Sequence, residues 1–411
     1  MLSPYGLNVD SFYQGLVSQS PVIESVLLPG IDDGGRIWWS GVKNFNPLDW
    51  MDEKLVDGTD IVSQWAMAAA EQALKQSSLE LDTLRTAIVQ GTSLCGVQSL
   101  MRAQYEVDIN GPAAFPRKTM MRILTNMGAA QIAMRYGIHG PSLTLTTACA
   151  SSLDALGTAA RMISSGQVDA AIVGAAEAGN SLYQPGAPEG FIPSMAYAPA
   201  MFGMQSAETD VKFACRPFDV HRSGIATSEG AAAFVLERGD LAAQRQAGIL
   251  GYVAGYGSLA DAYHPSAPEP SGEWEALAMK TAIEDAGIPA TSIDCLYAHA
   301  TGTPVGDTAE IRAINTIHGE RPSPLPVSSI KGHFGHAAAA SGGLSVIAGL
   351  KDMAAGRFVN TANTTDPDPE AGFKVVLETP RTMDTGAFQV NAFGFGGQNA
   401  SLVITRNPVA G

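Results

Sequence analysis

The stretch SLTLTTACASSLDALGTAARMI, residues 142–163, joins a strand pattern directly to a helix pattern. Residues 142–147 alternate like a buried strand, and residues 154–163 have the alanine-rich periodicity of a helix. Cys149 lies where the two patterns meet. Unpaired N–H groups and the positive dipole end at a helix start favour a thiolate over a thiol. The junction therefore predicts a nucleophilic cysteine, with a small buried hydrophobic residue as the alternative.

The same alternation of strands and helices continues on both sides of this junction. It predicts an α/β protein whose sheets are covered on both faces. The rhythm repeats later in the chain, which suggests duplication, with a first half over residues 1–245 and a second half over residues 246–411. The expected strands are residues 86–90, 169–173, 231–236, 250–257, 295–299, 388–390 and 401–404, and the expected helices are residues 61–75, 125–135, 274–286, 309–316 and 342–353.

Composition limits the classes of function. With 45% hydrophobic and 16% charged residues, the 411-residue chain has ample material for globular cores. A net charge of −15 argues against nucleic acid as a partner, because phosphate neutralisation needs a basic surface. The four cysteines form no CxxC pair and the N-terminus does not resemble a signal peptide, so we expect reduced thiols in the cytoplasm.

A histidine and two threonines follow one of the predicted strands. In YAHATGTPVGD, residues 297–307, His299 ends the apolar run, Thr301 and Thr303 come next, and Glu310 lies on the following helix. Such a histidine can donate a hydrogen bond into a cleft, and the hydroxyl groups can hold a polar arm of a ligand. A structural histidine with satisfied hydrogen bonds is the alternative.

A second histidine precedes a helix of small residues. The segment SSIKGHFGH, residues 328–336, ends at His336, where the helix dipole disfavours an imidazolium. A neutral imidazole there can donate its Nε2 proton to a developing oxyanion, and Lys331 can orient it through a carboxylate such as Glu310. A zinc site built from His333, His336 and more distant ligands is the alternative, but the spacing does not suit a closed tetrahedral site.

A glycine-rich turn joins the last two predicted strands. The segment NAFGFGGQN, residues 391–399, contains Gly394, Phe395 and Gly396. Glycine permits positive φ and close backbone approach, so that N–H groups can face a ligand. The segment has neither the lysine nor the following helix of a phosphate-binding loop. It predicts an oxyanion-binding turn gated by Phe395, with a simple hairpin turn as the alternative.

Together these segments resemble the decarboxylating β-ketoacyl-acyl-carrier-protein synthases of the thiolase-like superfamily. The resemblance extends from Ser3 to Ile404 and implies a five-layer α-β-α-β-α sandwich of two duplicated halves, the second carrying the catalytic histidines. Four signatures occur in the family's order, namely TACASSLD with Cys149, HATGTPVGDTAE with His299, SSIKGHFGHAAAASGG with Lys331 and His336, and NAFGFGGQNASLVI with Phe395.

The resemblance also implies a decarboxylative Claisen condensation. Cys149 takes the acyl group from a carrier-protein thioester, and the N–H groups of Cys149 and Phe395 form the oxyanion hole. His299 and His336 bind the thioester carbonyl of a malonyl extender and stabilise the enolate left by carbon dioxide. The carbanion then attacks the acyl thioester and gives a β-ketoacyl product.

Supporting residues are implied in the same way. Lys331 and Glu310 support the histidines. Thr301 and Thr303 hydrogen-bond the phosphopantetheine arm, and Phe395 swings to admit the extender.

The resemblance also implies two partners. They are an acyl carrier protein, which brings its own phosphopantetheine, and a second subunit in a homodimer or heterodimer. No cofactor or metal bound by the enzyme is expected. The pathway is type II fatty acid or polyketide/polyene biosynthesis. A non-catalytic, chain-length-factor-like subunit is the alternative, although such subunits typically lack the cysteine. A non-decarboxylative thiolase fits poorly, because it needs a second cysteine and none occurs after Cys295.

The chain departs from the family pattern near its start and in its charges. The SPYG segment, residues 3–6, stands where the family's first strand has usually already passed, so that strand is expected to be missing or replaced. Residues 49–63 are acidic where relatives often carry a basic docking helix. Carrier docking is then left to Arg117, Lys118 and Arg122 or to a partner subunit, unless this basic cluster is an ordinary solvated surface.

Phe115 falls in the segment that shapes the acyl pocket in this family. A bulky ring there would limit the length or shape of the acyl chain. These departures favour a specialised polyketide or polyene pathway over a housekeeping fatty-acid enzyme.

Overall fold

A computed structural model describes residues 1–18, 20–28, 35–179, 181–182, 191–377 and 381–409. The helices among them are α1 (Val9–Ser18), α2 (Glu53–Gly58), α3 (Ile61–Ser77), α4 (Val97–Asn110), α5 (Thr119–Ile123), α6 (Met127–Tyr136), α7 (Ser151–Ser164), α8 (Ala198–Met201), α9 (Gly239–Gln244), α10 (Glu273–Asp285), α11 (Pro304–His318), α12 (Lys331–Phe334) and α13 (Ser341–Ala355). The strands are β1 (Glu24–Leu27), β2 (Arg36–Ser40), β3 (Thr86–Gly91), β4 (Ser142–Leu145), β5 (Ala170–Glu177), β6 (Thr227–Ser228), β7 (Gly230–Glu237), β8 (Tyr252–Ala260), β9 (Cys295–Tyr297), β10 (Pro326–Ser328), β11 (Arg357–Phe358), β12 (Lys374–Val375), β13 (Arg381–Thr382), β14 (Ala387–Gly394) and β15 (Gln398–Thr405).

The main sheets follow the predicted duplication. In the first half the strand order is β4-β3-β5-β7, with β3 parallel to β4 and β5, and β7 antiparallel to β5. In the second half the order is β12-β10-β9-β14-β15-β8, with β9 parallel to β10 and β14. Strand β15 pairs antiparallel with β14 and β8. Parallel strands therefore occupy the centre of each half, as alternating strands and helices require.

Helices α7 and α13 lie between the two sheets. A central apolar cluster runs from Val89 and Ala171 on the first sheet, through Leu153 and Leu344 on the two helices, to Phe388 on the second. Helices α3 and α6 cover the other face of the first sheet, and α10 and α11 cover that of the second. The layers are thus α-β-α-β-α, which confirms the predicted five-layer fold.

The duplication is visible at the start of both central helices. Ala148 has φ +50° and opens the single 3₁₀ turn Ala148–Ala150, which leads into α7. Ala338 has φ +40° and opens the turn Ala338–Ala340, which leads into α13. Positive φ is uncommon for a residue with a Cβ, so its recurrence at matching places indicates the same strained junction in both halves.

The predicted burial of residues 142–147 is wrong for the single chain. Strand β4 comprises Ser142–Leu145, and Leu143 is 39% exposed. In the described ranges β4 pairs with β3 alone and therefore lies at the edge of its sheet. An alternating pattern reports which residues share a face, but not whether a neighbouring strand and helix cover that face.

The first residues lie beside β7. The Leu2 N–H donates to the Ala231 carbonyl at 2.7 Å, and the Ala231 N–H donates to the Leu2 carbonyl at 2.9 Å. This pair takes the place in the sheet next to β7. None of the helices within the described ranges is both long and apolar enough to span a membrane.

Candidate active site

The nucleophile predicted from the sequence lies at the strained junction before α7. The Ser151 hydroxyl accepts the Thr147 N–H at 3.0 Å and donates to the Ala148 carbonyl at 2.7 Å. The Thr147 hydroxyl donates to Asp154 at 2.5 Å. These bonds hold Ala148 in its left-handed conformation and so fix the direction in which Cys149 leaves the turn.

Groups from three segments converge on the Cys149 sulfur. Its own N–H and the N–H of Phe395 are both directed at the sulfur. His336 approaches from the second half, with Nε2 3.0 Å from Sγ. The structure thus brings together the cysteine, one predicted histidine and the predicted oxyanion-binding turn.

The acid–base state of Cys149 differs from the prediction. The residue keeps some surface accessible to solvent, but burial of the sulfur raises the pKa of the Cys149 thiol to about 12. Lys331 and the two backbone N–H groups oppose this rise without overcoming it. The expectation of a resting thiolate was wrong because the dipole argument ignored desolvation, which acts more strongly here.

The two predicted histidines face each other beside the sulfur. The rings of His299 and His336 lie 5.3 Å apart between centroids, at an angle of 88°. Burial lowers the pKa of each imidazole well below its ordinary value, and the charge of Lys331 lowers both further. Both rings are therefore uncharged at neutral pH, and an uncharged imidazole can donate one hydrogen bond and accept another.

Glu310 and Lys331 support His299 through its backbone. Glu310 accepts the N–H of His299 at 2.9 Å, the N–H of Ala300 at 2.6 Å and the amide of Asn391 at 3.1 Å. Lys331 donates from Nζ to the His299 carbonyl. Lys331 was expected to orient His336 through Glu310, and this is wrong because both side chains bond the segment that carries His299.

The threonines lie in a loop that a buried aspartate closes. Thr301 and Thr303 have hydroxyl oxygens 3.1 Å apart. Asp307 accepts the N–H of Thr301 at 2.9 Å, together with the N–H groups of Gly302 and Phe218. Asp307 ends the YAHATGTPVGD segment, and no function was predicted for it from the sequence. Its place in the first turn of α11, after a Thr-Gly-Thr loop, is the signal that marks such a residue.

The glycine-rich turn is a hairpin and also lies against the nucleophile. Strands β14 and β15 pair up to Gly394 and Gln398, so the simpler interpretation of the turn holds as well. A Cβ atom on Gly394 would come within 2.8 Å of the Thr147 carbonyl oxygen and 3.0 Å of the Cys149 nitrogen. Gly396 has φ +81°. Only residues without a side chain allow the turn to approach Cys149 this closely.

Phe395 and Phe115, the two aromatic residues predicted near the substrate, are both partly exposed. Phe395 is 45% exposed, and its ring lies 6.0 Å from that of Phe202. Phe115 follows the turn Pro112–Ala114 and is 44% exposed, on the surface of the single chain. That Phe395 gates the site and that Phe115 limits the acyl pocket both remain predictions.

The basic cluster proposed for docking is partly neutralised. Asp57, in the acidic segment, forms ion pairs with Lys118 at 2.5 Å and with Arg122 at 3.2 Å. These contacts tie the acidic segment to the basic one. They reduce the positive charge that this surface presents.

The alternative of a zinc site receives no support from the geometry. His333 bonds through Nε2 to the Asn360 carbonyl at 2.9 Å, and its buried Nδ1 has no hydrogen-bond partner among the described residues. Across the described residues, no group of three potential metal-ligating side chains occurs.

Family models cover most of the chain. The model for the N-terminal domain of β-ketoacyl synthases matches residues 1–242, and the model for the C-terminal domain matches residues 250–365. The 3-oxoacyl-[acyl-carrier-protein] synthase 2 of Staphylococcus aureus is 32% identical over 406 residues, which cover 98% of each chain.

Solved structures are similar over the same length. The ishigamide ketosynthase/chain length factor is 28% identical with a TM-score of 0.88, covering 99% of this chain and 97% of the other. A β-ketoacyl synthase from Burkholderia phymatum is 27% identical with a TM-score of 0.85, covering 99% and 98%.

Proposed function

The chain belongs to the β-ketoacyl synthase family, and we propose that it condenses an acyl thioester with a malonyl thioester, both delivered by an acyl carrier protein. The proposal includes the fatty acid or polyketide context of its relatives. One observation carries it: the Cys149 sulfur lies 3.0 Å from His336 Nε2 and faces the N–H groups of Cys149 and Phe395.

The first step transfers the acyl group to the enzyme. The Cys149 sulfur attacks the thioester carbonyl, and the N–H groups of Cys149 and Phe395 stabilise the oxyanion that forms. The carbon–sulfur bond to pantetheine then breaks, and the proton lost by Cys149 is taken up by the departing pantetheine thiolate. Because burial raises the pKa of the Cys149 thiol, its proton leaves only as the sulfur attacks, and the transfer consumes no proton overall.

The second step forms the carbon–carbon bond. His299 and His336 donate to the thioester oxygen of the malonyl group, and carbon dioxide leaves with formation of an enolate. The enolate carbon attacks the acyl carbonyl, and the Cys149 sulfur departs and regains a proton from solvent. Burial keeps both imidazoles uncharged, which supports this role because neutral donors stabilise an enolate without protonating it.

The carrier provides the prosthetic group. One structural neighbour is described as a type II polyketide synthase acyl-carrier protein in complex with its ketosynthase. In our proposal phosphopantetheine stays on the carrier, and Thr301 and Thr303 hydrogen-bond its arm. Lys331 and Glu310 hold the backbone of His299. Free thiols at all four cysteines support a cytoplasmic location, and matches to residues 1–242 and 250–365 support a division near residue 245.

The test is transfer of an acyl group from carrier-bound donors, followed by intact-mass measurement. The wild type should gain one acyl mass, and Cys149→Ala should gain none. Cys295→Ala is the matched control, because it removes a buried thiol away from the junction and should acylate normally. If Cys149→Ala still gains the acyl mass, the assignment of Cys149 as the nucleophile is wrong. If the wild type gains none, a chain-length-factor-like subunit is favoured.

The same experiment separates the two steps. His336→Ala should still gain the acyl mass but should form less β-ketoacyl product with malonyl carrier, by about a hundredfold or more. Unimpaired condensation in this variant would remove the role given to His336.

A further inference from the structure

Ser341 makes a contact that the steps above do not use. It is the first residue of α13 and is 3% exposed. Its Oγ lies 2.9 Å from the Ala337 nitrogen and accepts that N–H. The same oxygen lies 3.0 Å from Nδ1 of His336, the ring nitrogen that faces away from Cys149.

Counting hydrogens decides which ring nitrogen of His336 carries the proton. A serine hydroxyl has one hydrogen, and among the described residues Nδ1 of His336 is the acceptor within reach of it. If Nδ1 carried the proton instead, Ser341 would accept two hydrogen bonds and its own buried hydrogen would have no partner. A thiol hydrogen is a much weaker donor than a hydroxyl, so satisfying the serine outweighs a bond from Cys149 to Nε2.

We propose that the Ser341 hydroxyl holds His336 in the tautomer that carries its proton on Nε2, so that the ring donates toward the sulfur and the substrate oxygen. Ser341 is then a positioning residue that acts through His336. The effect of Ser341 on turnover rests on the proposed function. The protonation of His336 on Nε2 does not depend on it.

The first half of the molecule shows what this serine does without a histidine. Ser151 is the corresponding first residue of α7, and its hydroxyl also accepts an N–H four residues earlier. There the hydrogen goes to the Ala148 carbonyl at 2.7 Å, within the turn. In the second half the same hydroxyl is directed at the imidazole. The two serines thus occupy equivalent positions, but only the hydroxyl of Ser341 faces a reacting group.

The direct test is nitrogen-15 NMR of the protein labelled at histidine, with the His336 signals identified by their loss in His336→Ala. In the wild type we expect Nε2 protonated and Nδ1 unprotonated. Ser341→Ala should shift the ring toward the Nδ1-protonated form or a mixture, and Ser341→Thr, which keeps a hydroxyl, should restore the wild-type pattern. A wild type protonated on Nδ1, or an unchanged spectrum in Ser341→Ala, would overturn the proposal even if a variant folds poorly.

Kinetics give a second readout. Ser341→Ala should lower kcat for condensation about tenfold while acylation of Cys149 changes less than twofold. Ser345→Ala is the matched control, since it removes another buried hydroxyl one turn further along α13. Equal losses in both variants would contradict a positioning role. A wild type that shows the expected tautomer but never acylates would instead refute the proposed function.

Discussion

Glu310 is a buried carboxyl group whose ionisation is balanced between opposing effects. Burial raises its pKa from the ordinary 4.5 to about 7, although the N–H groups of His299 and Ala300 and the Asn391 amide favour the carboxylate. Ionising this group therefore costs the folded protein more than the unfolded chain. The consequence is a pH dependence of stability that can be assigned to one residue.

The stability that Glu310 contributes is fully present below pH 4.5 and is lost as the pH rises through about 7, because its folded pKa is the raised one. The free energy of unfolding of the wild type relative to Glu310→Gln should thus fall by about 3 kcal/mol in total, mostly between pH 5 and 7. Urea unfolding of both proteins from pH 5 to 8 measures this slope.

The exposed Glu320 provides the control for this experiment. Glu320→Gln removes one carboxylate from the surface of the same half, and the slope assigned to Glu310 is measured relative to this variant. A wild-type stability that rises with pH relative to Glu310→Gln would contradict the raised pKa.

At the residue scale, sequence motifs identified the reacting groups better than their surroundings. Cys149, His299 and His336 were predicted from their places at element ends, and the structure brings them together. The thiolate and the link from Lys331 through Glu310 to His336 were predicted incorrectly. Desolvation and hydrogen-bond partners depend on which segments pack together, and spacing along one segment does not determine that.

At the element scale, the site is formed where a hairpin meets a helix start. The turn after β14 touches the strained junction before α7 through Gly394, with backbone on both sides of the contact. In the proposed oxyanion hole one N–H comes from each segment, so neither segment would form it by itself. The geometry of the hole therefore depends on how closely these two backbones approach.

A methyl group at Gly394 should separate them. In Gly394→Ala the new Cβ would lie within 3.0 Å of the junction backbone, so the turn must shift outward. We expect acylation of Cys149 to slow about a hundredfold, since displacements near 1 Å at a reacting centre have effects of this size. Stopped-flow or quenched acylation assays measure the rate.

Gly386→Ala tests the same substitution just before the other end of β14, where the nearest atom would be at 3.5 Å. This variant should acylate at close to the wild-type rate. A wild-type rate in Gly394→Ala would show that the turn does not need its present distance from the nucleophile.

The order of the elements followed from periodicity, but their exposure did not. Helices such as α3 and α13 occur within two residues of the predicted limits, because their apolar patterns are long. Strand β4 was predicted to be buried and is an edge strand. A pattern of six residues fits either a central or an edge position, and only the sheet order distinguishes them.

For the whole molecule, the edge position of β4 indicates a second subunit. Exposed backbone at a sheet edge and a cluster of exposed apolar side chains are features of an interface. Such side chains are concentrated in the first half, namely Leu100, Ile109, Phe115, Met120, Met121, Leu124, Met134 and Leu143.

A charge on β4 should weaken this association. We expect the wild type to have the mass of a dimer in size-exclusion chromatography with light scattering. Leu143→Asp should shift toward the monomer at micromolar concentration, because the carboxylate would lose water on burial. Leu250→Asp, at an exposed leucine of the second half, should leave the mass unchanged. An unaltered dimer in Leu143→Asp would place the interface elsewhere.

The same left-handed turn occurs in both halves, but only the first half carries the reactive cysteine in it. Ala339, fully buried, occupies in the second half the position that Cys149 holds in the first. The turn thus persists in the copy that has no sulfur, because the chain needs it to enter the central helix. A descendant of a doubled ancestor can therefore change its chemistry by exchanging single side chains on a backbone that is already in place.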